Sequence, residues 1–190
     1  ELLIKDVPGG AMCNWADSRT LWILSDATSS DALNVGSRVG LRAGKLRAAC
    51  TYTPSECADM LPSWPTAGAV VVDVQSPRDL LLPVVILDIP ETVGGCSDGI
   101  SFDLGASTGS GGRPWERVYV NVSGNSPDVD GVDYYVTQEM ARKRPGDVLG
   151  VTIPQSMLNV SHFYSFQVTL CNFLGGCSVS SARTTVISEV

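Results

Sequence analysis

The chain carries one histidine, His162, in 190 residues, so neither a His-based metal centre nor a Ser–His–Asp triad is expected. Cations are scarce as well. Thirteen Lys and Arg against 20 Asp and Glu leave a net charge of −7, the wrong sign for a nucleic-acid or anionic-membrane surface. No apolar run approaches the ~18 residues of a membrane helix; the longest, residues 80–87, is broken by Pro83. No Cys-x-x-Cys pair is present, which leaves no zinc framework. No catalytic residue, metal or cofactor is expected from these absences. What the chain does have is 44% apolar residues, too many for disorder, and enough Gly (19) and Pro (11) to favour turns over long helices.

The six cysteines divide evenly: Cys13, Cys50 and Cys57, then Cys96, Cys171 and Cys177. Six cysteines allow 15 connectivities, and two pairs are favoured locally. Cys171 and Cys177 flank a five-residue Asn-Phe-Leu-Gly-Gly segment suited to a hairpin loop. Cys50 and Cys57 flank Thr53, Pro54, Ser55 and Glu56, where Thr and Glu at capping-box spacing and Pro at the first helical position predict one short helix. Cys13 and Cys96 remain, one in each half, to bridge the halves or neighbouring molecules; free thiols are the alternative. Two sequons, Asn121-Val122-Ser123 and Asn159-Val160-Ser161, offer N-glycan acceptors, whereas Asn125-Ser126-Pro127 fails at its third residue. Cysteines and sequons together predict an extracellular or cell-surface protein. The chain opens at Glu1 without a signal peptide, as a processed chain or part of a longer one would.

Short β-prone runs recur throughout. Residues 20–24, 38–41 and 69–74 are candidate strands in the first half. In the second, Ile100, Phe102 and Leu104 share a face, as do Val118, Val120 and Val122. Tyr164, Phe166, Val168 and Leu170 form the clearest stripe, opposite Ser165, Gln167 and Thr169. This period of two is that of a strand with one wet face. A second short helix is expected over 136–144, closed by Pro145. The turn cluster Ser76, Pro77, Arg78, Asp79 marks a boundary. Its implication is an all-β chain of two tandem Ig-like β-sandwich domains, 1–79 and 80–190, with Pro83 confining the apolar run after the boundary to a sheet edge or strand start.

The second half carries a further pattern. Cys96-Ser-Asp-Gly-Ile-Ser-Phe-Asp-Leu-Gly-Ala-Ser107, then Gly109-Ser-Gly-Gly-Arg-Pro114, and later 149–154 and 163–176 ending Val168-Thr-Leu-Cys-Asn-Phe-Leu-Gly-Gly176, resemble PKD/REJ-type (receptor for egg jelly) modules of polycystin-like and algal surface proteins. The resemblance spans about residues 82–190, and residues 22–57 resemble, more faintly, the Ig-like segment preceding such modules. It implies an extracellular Ig-like sandwich without catalytic residues. The chain departs from the pattern in having Tyr119 or a neighbour where a core Trp usually stands, Trp115 displaced toward a turn, cysteines at 171 and 177, and no channel region.

Other candidates reduce to ordinary structure. Asp128, Asp130 and Asp133 beside Gly131 hint at a calcium loop but lack the closing Glu, so a solvated acidic turn is expected. The Gly-rich stretches 105–112 and 40–46 do not satisfy a phosphate-loop pattern and are read as turns. Among the tryptophans, Trp22 belongs to a strand and is assigned to the core, while Trp64 and Trp115 sit in proline-flanked loops and are candidates for partner or sugar contact. Leu2, Leu3 and Ile4 at one end and residues 184–190 at the other are strand-prone, and pair either in their own sheet or along a neighbour's edge. The sequence thus predicts a non-catalytic structural or interaction protein, a protomer or repeat of a surface filament or glycocalyx fibre. Its partners are further copies or related modules. The alternative is an adhesion or carbohydrate-binding ectodomain module.

Overall fold

The computed structural model describes residues 4–5, 12–24, 32–48, 50–60, 63–94, 97–144, 147 and 149–188. The chain is mostly β, in several small sheets, and divides into two compact units, Glu1–Ser76 and Pro77–Val190.

In the first unit β1 (Ile4–Lys5), β4 (Arg38–Leu41) and β5 (Val70–Asp73) form an antiparallel sheet in the order β1-β4-β5. A separate ribbon pairs β2 (Met12–Trp15) with β3 (Leu21–Leu24). Its turn is set by Asp17, whose Oδ1 accepts the N–H groups of Arg19 and Thr20, both at 2.7 Å. These bonds favour the charged form and hold the Asp17 carboxyl below its usual pKa. The helix α1 (Pro54–Met60) begins as the sequence predicts. Thr53 N–H donates to Glu56 Oε2 at 3.0 Å, and Thr53 Oγ1–H to the same oxygen at 2.6 Å. The side-chain bond from Thr53, then the backbone one, hold the Glu56 carboxyl below its ordinary range.

Among the described residues of this unit, no large apolar side chain is buried. The sequence contains the reason. Val70, Val71 and Val72 are consecutive rather than alternating, so both faces of β5 are apolar, and all three are more than half exposed. Trp22, expected in the core, stands 60% exposed on its two-stranded ribbon, because no described residue covers that face.

The second unit has a dense core. A four-stranded sheet runs β6 (Thr92–Gly94), β11 (Cys177–Ile187), β10 (Phe163–Cys171), β8 (Arg117–Gly124). A ribbon of β7 (Gly99–Asp103) and β9 (Gly150–Pro154) supplies Ile100, Phe102, Val151 and Ile153 to the same cluster. Phe102 of the ribbon meets Phe166 of the sheet at 5.6 Å between ring centroids. Tyr164, Phe166, Val168 and Leu170 are fully buried, as their alternation requires. Removing such a side chain from water stabilises the fold by roughly 1.5–3 kcal/mol each.

Helix α2 (Val129–Arg142) corrects the expected 136–144 segment. It starts seven residues earlier because Val132, Val136 and Met140 lie at i, i+4 spacing and pack on the core. Of the acidic residues read as a turn, Asp128 is its N-cap and Asp130 and Asp133 lie in its first two turns. It ends at Lys143, already extended at ψ 138°, ahead of Pro145, which disfavours helix in the preceding residue. Asp133 Oδ1 accepts the Val122 N–H at 2.6 Å, so α2 also covers part of the outer edge of β8.

Candidate functional site

Two features of the second unit stand open to a partner. One is a sheet edge. Residues 84–89 run beside β7 and the turn after it. Val84 and Thr108 exchange N–H···O bonds at 2.8 and 3.0 Å, Asp88 and Asp103 exchange a pair at 3.0 Å, and Ile86 N–H donates to Ser107 Oγ at 3.0 Å. Even-numbered residues thus satisfy their backbone inward. The N–H and C=O groups of Val85, Leu87 and Ile89 face the other way, unpaired among the described residues. Their side chains pack on the core, while Val84 (57% exposed) and Ile86 (44%) point out, beside exposed Leu80, Leu81 and Leu82. Pro83 lies buried where this segment begins.

The other feature is a cleft of about 480 Å³ between the 104–118 chain and the end of α2. Apolar groups of Leu104, Val118, Met140 and Leu149 line it, with Trp115 as an aromatic wall. Trp115 is half-buried: it packs partly on the core and partly faces the cleft. Its loop is held by Glu116 N–H, which donates to Cys171 O at 2.9 Å. Just before it, Gly111 has φ 77°, and a Cβ there would sit 2.7 Å from the Phe173 ring, so only glycine lets the loop pass. Arg113 lies 4.0 Å over that ring. Arg117, Lys143 and Arg144 complete the cationic rim, and none has a carboxylate partner among the described residues. Asp147 also lines the cleft, but its Oδ2 accepts the Arg144 N–H at 2.7 Å.

The remaining predicted residues are scattered. Cys50 and Cys57 are bonded, with Cα atoms 5.9 Å apart, and Cys171 and Cys177 close the β10–β11 hairpin at 4.1 Å. Cys13 is a free, exposed thiol on β2, the alternative the sequence left open for it; Cys96 lies outside the described residues, as do Leu2 and Leu3. Ile4 pairs with Leu41 inside its own sheet, and residues 184–187 belong to β11, so the described ends are not free strands. Trp64 is half-buried, edge-on to Tyr52 at 6.5 Å. Tyr119 points outward at 56% exposure, and Trp115 packs partly on the core. His162 Nδ1 is 2.9 Å from Val160 O.

The two sequons differ. Asn121 is exposed on the outer face of β8. Asn159 donates both amide hydrogens, to Ser126 Oγ (2.9 Å) and Asp128 Oδ2 (3.0 Å), and its N–H bonds the Tyr164 hydroxyl at 2.9 Å. Sequence reasoning also missed Asn172. Its buried Nδ2 donates to Leu81 O (2.7 Å) and Gly109 O (2.8 Å), while its Oδ1 accepts Leu174 and Gly176 N–H at 3.1 and 2.9 Å. A polar residue beside a bridging cysteine and a Gly-Gly pair was the only hint. The cleft cations were missed because they come from two distant stretches, 113–117 and 143–144.

Comparison of the chain with protein-family models, with curated proteins and with solved structures found no match in any of the three.

Proposed function

We propose that this chain is a non-catalytic, extracellular structural protein, a protomer or repeat of a surface filament or glycocalyx fibre, that associates through exposed β-edges. The observation carrying this reading is the 84–89 edge, with unpaired peptide groups at Val85, Leu87 and Ile89 and apolar Val84 and Ile86 turned outward. Natural sheets usually blunt such edges with charge, bulges or covering segments. Here Asp88 is the one charged residue of the segment, and a partner strand would gain both backbone bonds and apolar contact. The two disulfides fit an oxidising compartment. The finer architectural reading, tandem Ig-like sandwiches of the PKD/REJ kind, draws its support from the second unit, where sheet and ribbon meet through Phe102 and Phe166.

Sedimentation and electron microscopy of the purified chain over a concentration series test the proposal. Assembly that grows with concentration and disappears in Val84→Lys/Ile86→Lys, whose side chains are exposed and whose substitution leaves the core intact, is the expected result. A chain that stays monomeric at high concentration retires it. The cleft beside Trp115 favours a second reading, a carbohydrate-binding ectodomain module, since an aromatic wall with convergent polar groups suits a sugar ring.

A further inference from the structure

We infer that the Trp115 cleft takes an acidic saccharide, one bearing carboxylate or sulfate groups, rather than a neutral glycan; this rests on the carbohydrate-binding reading and specifies its ligand class. Charge placement carries this assignment. The second unit, residues 77–190, holds seven Lys and Arg against 12 Asp and Glu, a net charge of −5. Four of those seven cations, Arg113, Arg117, Lys143 and Arg144, line this one cleft, with only two of the 12 acids. More than half of the unit's positive charge therefore converges on a small part of an otherwise acidic surface.

Arg113 is anchored over Phe173, but Arg117, Lys143 and Arg144 have no carboxylate partner among the described residues. Arg117 and Arg144 are exposed and Lys143 half-buried, so the mutual repulsion of these like charges is screened by water but strengthens at low salt. An anion between them reverses the sign, and Arg offers carboxylate or sulfate a two-pronged contact. The neighbouring wall is chemically different. Trp115 lines the cleft together with Leu104, Met140 and Leu149, an aromatic and apolar surface suited to the C–H face of a sugar ring. A ligand that satisfies both halves carries negative charge on a ring with an apolar face. The cleft, about 480 Å³, falls within the range of small-ligand sites.

Titration calorimetry of the full chain with three probes tests this: a heparin-derived hexasaccharide (sulfated), a galacturonic-acid hexamer (carboxylated) and cellohexaose (neutral). At low salt, at least one acidic probe is expected to bind about tenfold more tightly than cellohexaose. Its affinity should fall by at least about tenfold in Arg117→Ser/Lys143→Ser, two substitutions on the rim that circular dichroism should show to leave the fold unchanged. The same affinity should weaken as salt rises. Whichever acidic probe binds identifies carboxylate or sulfate as the anion. If cellohexaose binds as tightly as both acidic probes, the anionic assignment fails while the carbohydrate reading stands. If no probe binds at millimolar concentration, both fail. Acidic binding unchanged in the double variant places the site elsewhere and overturns the inference.

Discussion

Replacing Asn172 with alanine tests how the second unit is held together. The Asn172 amide makes four hydrogen bonds from a buried position, tying the β10–β11 loop to Leu81 and Gly109, which lie 91 and 63 residues away in sequence. Truncation removes all four. The Gly176 N–H is in a buried residue and is left dry, which costs about 1–3 kcal/mol. Leu81 is exposed, and Gly109 and Leu174 are half-buried, so water takes up part of those three; their loss adds about 0.5–1 kcal/mol each. The expected total is about 2.5–6 kcal/mol, equivalent to a fall in melting temperature of roughly 10–25 °C for a unit this size. Urea unfolding followed by far-UV circular dichroism measures the total, and amide exchange in β10 and β11 localises it. Asn172→Asp separates the donor from the acceptor role: it keeps the acceptors but sets a carboxylate against two carbonyl oxygens. Its deficit should therefore exceed alanine's at neutral pH, shrink as pH falls through the raised folded-state pKa, and level off below about 4, where the new carboxyl is protonated in both states. A cost for Asn172→Ala below about 1 kcal/mol would refute the reasoning, because the four bonds would then be replaceable by solvent.

Two further outcomes are expected. When the chain is secreted from a eukaryotic host, intact mass before and after enzymatic deglycosylation should show a glycan at Asn121, whose amide is free at the surface, and little at Asn159, whose amide hydrogens are both engaged. Asn121→Gln should abolish the mass shift, and a shift that survives it but vanishes in Asn159→Gln contradicts the assignment. In a carbon-detected NMR titration, Glu56 should titrate below the ordinary value of 4.5 and move back toward it in Thr53→Ala. A depressed folded-state pKa stabilises the capped helix above the ordinary carboxyl range, and that contribution is lost as pH falls through the lowered value.

Much of the second unit could be read along the chain. The Tyr164–Leu170 stripe alternates strictly, and every one of its apolar members is buried. The Thr53–Glu56 capping box and the short-loop disulfides are likewise local, since partners three to seven residues apart meet through the geometry of one turn. Other readings failed where one local pattern imitates another. Asp128 to Asp133 looks like an acidic loop until Val132, Val136 and Met140 are seen to share a helical face. Strand character alone points Trp22 inward, but burial needs a covering layer, and its ribbon has none among the described residues.

What this sequence determined by itself is its β-rich character, its charge balance and its short-range links, because each depends on neighbours within about one turn or strand. Tertiary structure alone decided which edge stayed unpaired, which asparagines became internal fasteners, and that cations from 113–117 and 143–144 face one cleft. Those outcomes depend on contacts between segments tens of residues apart, and their geometry exists only once the sheets have packed.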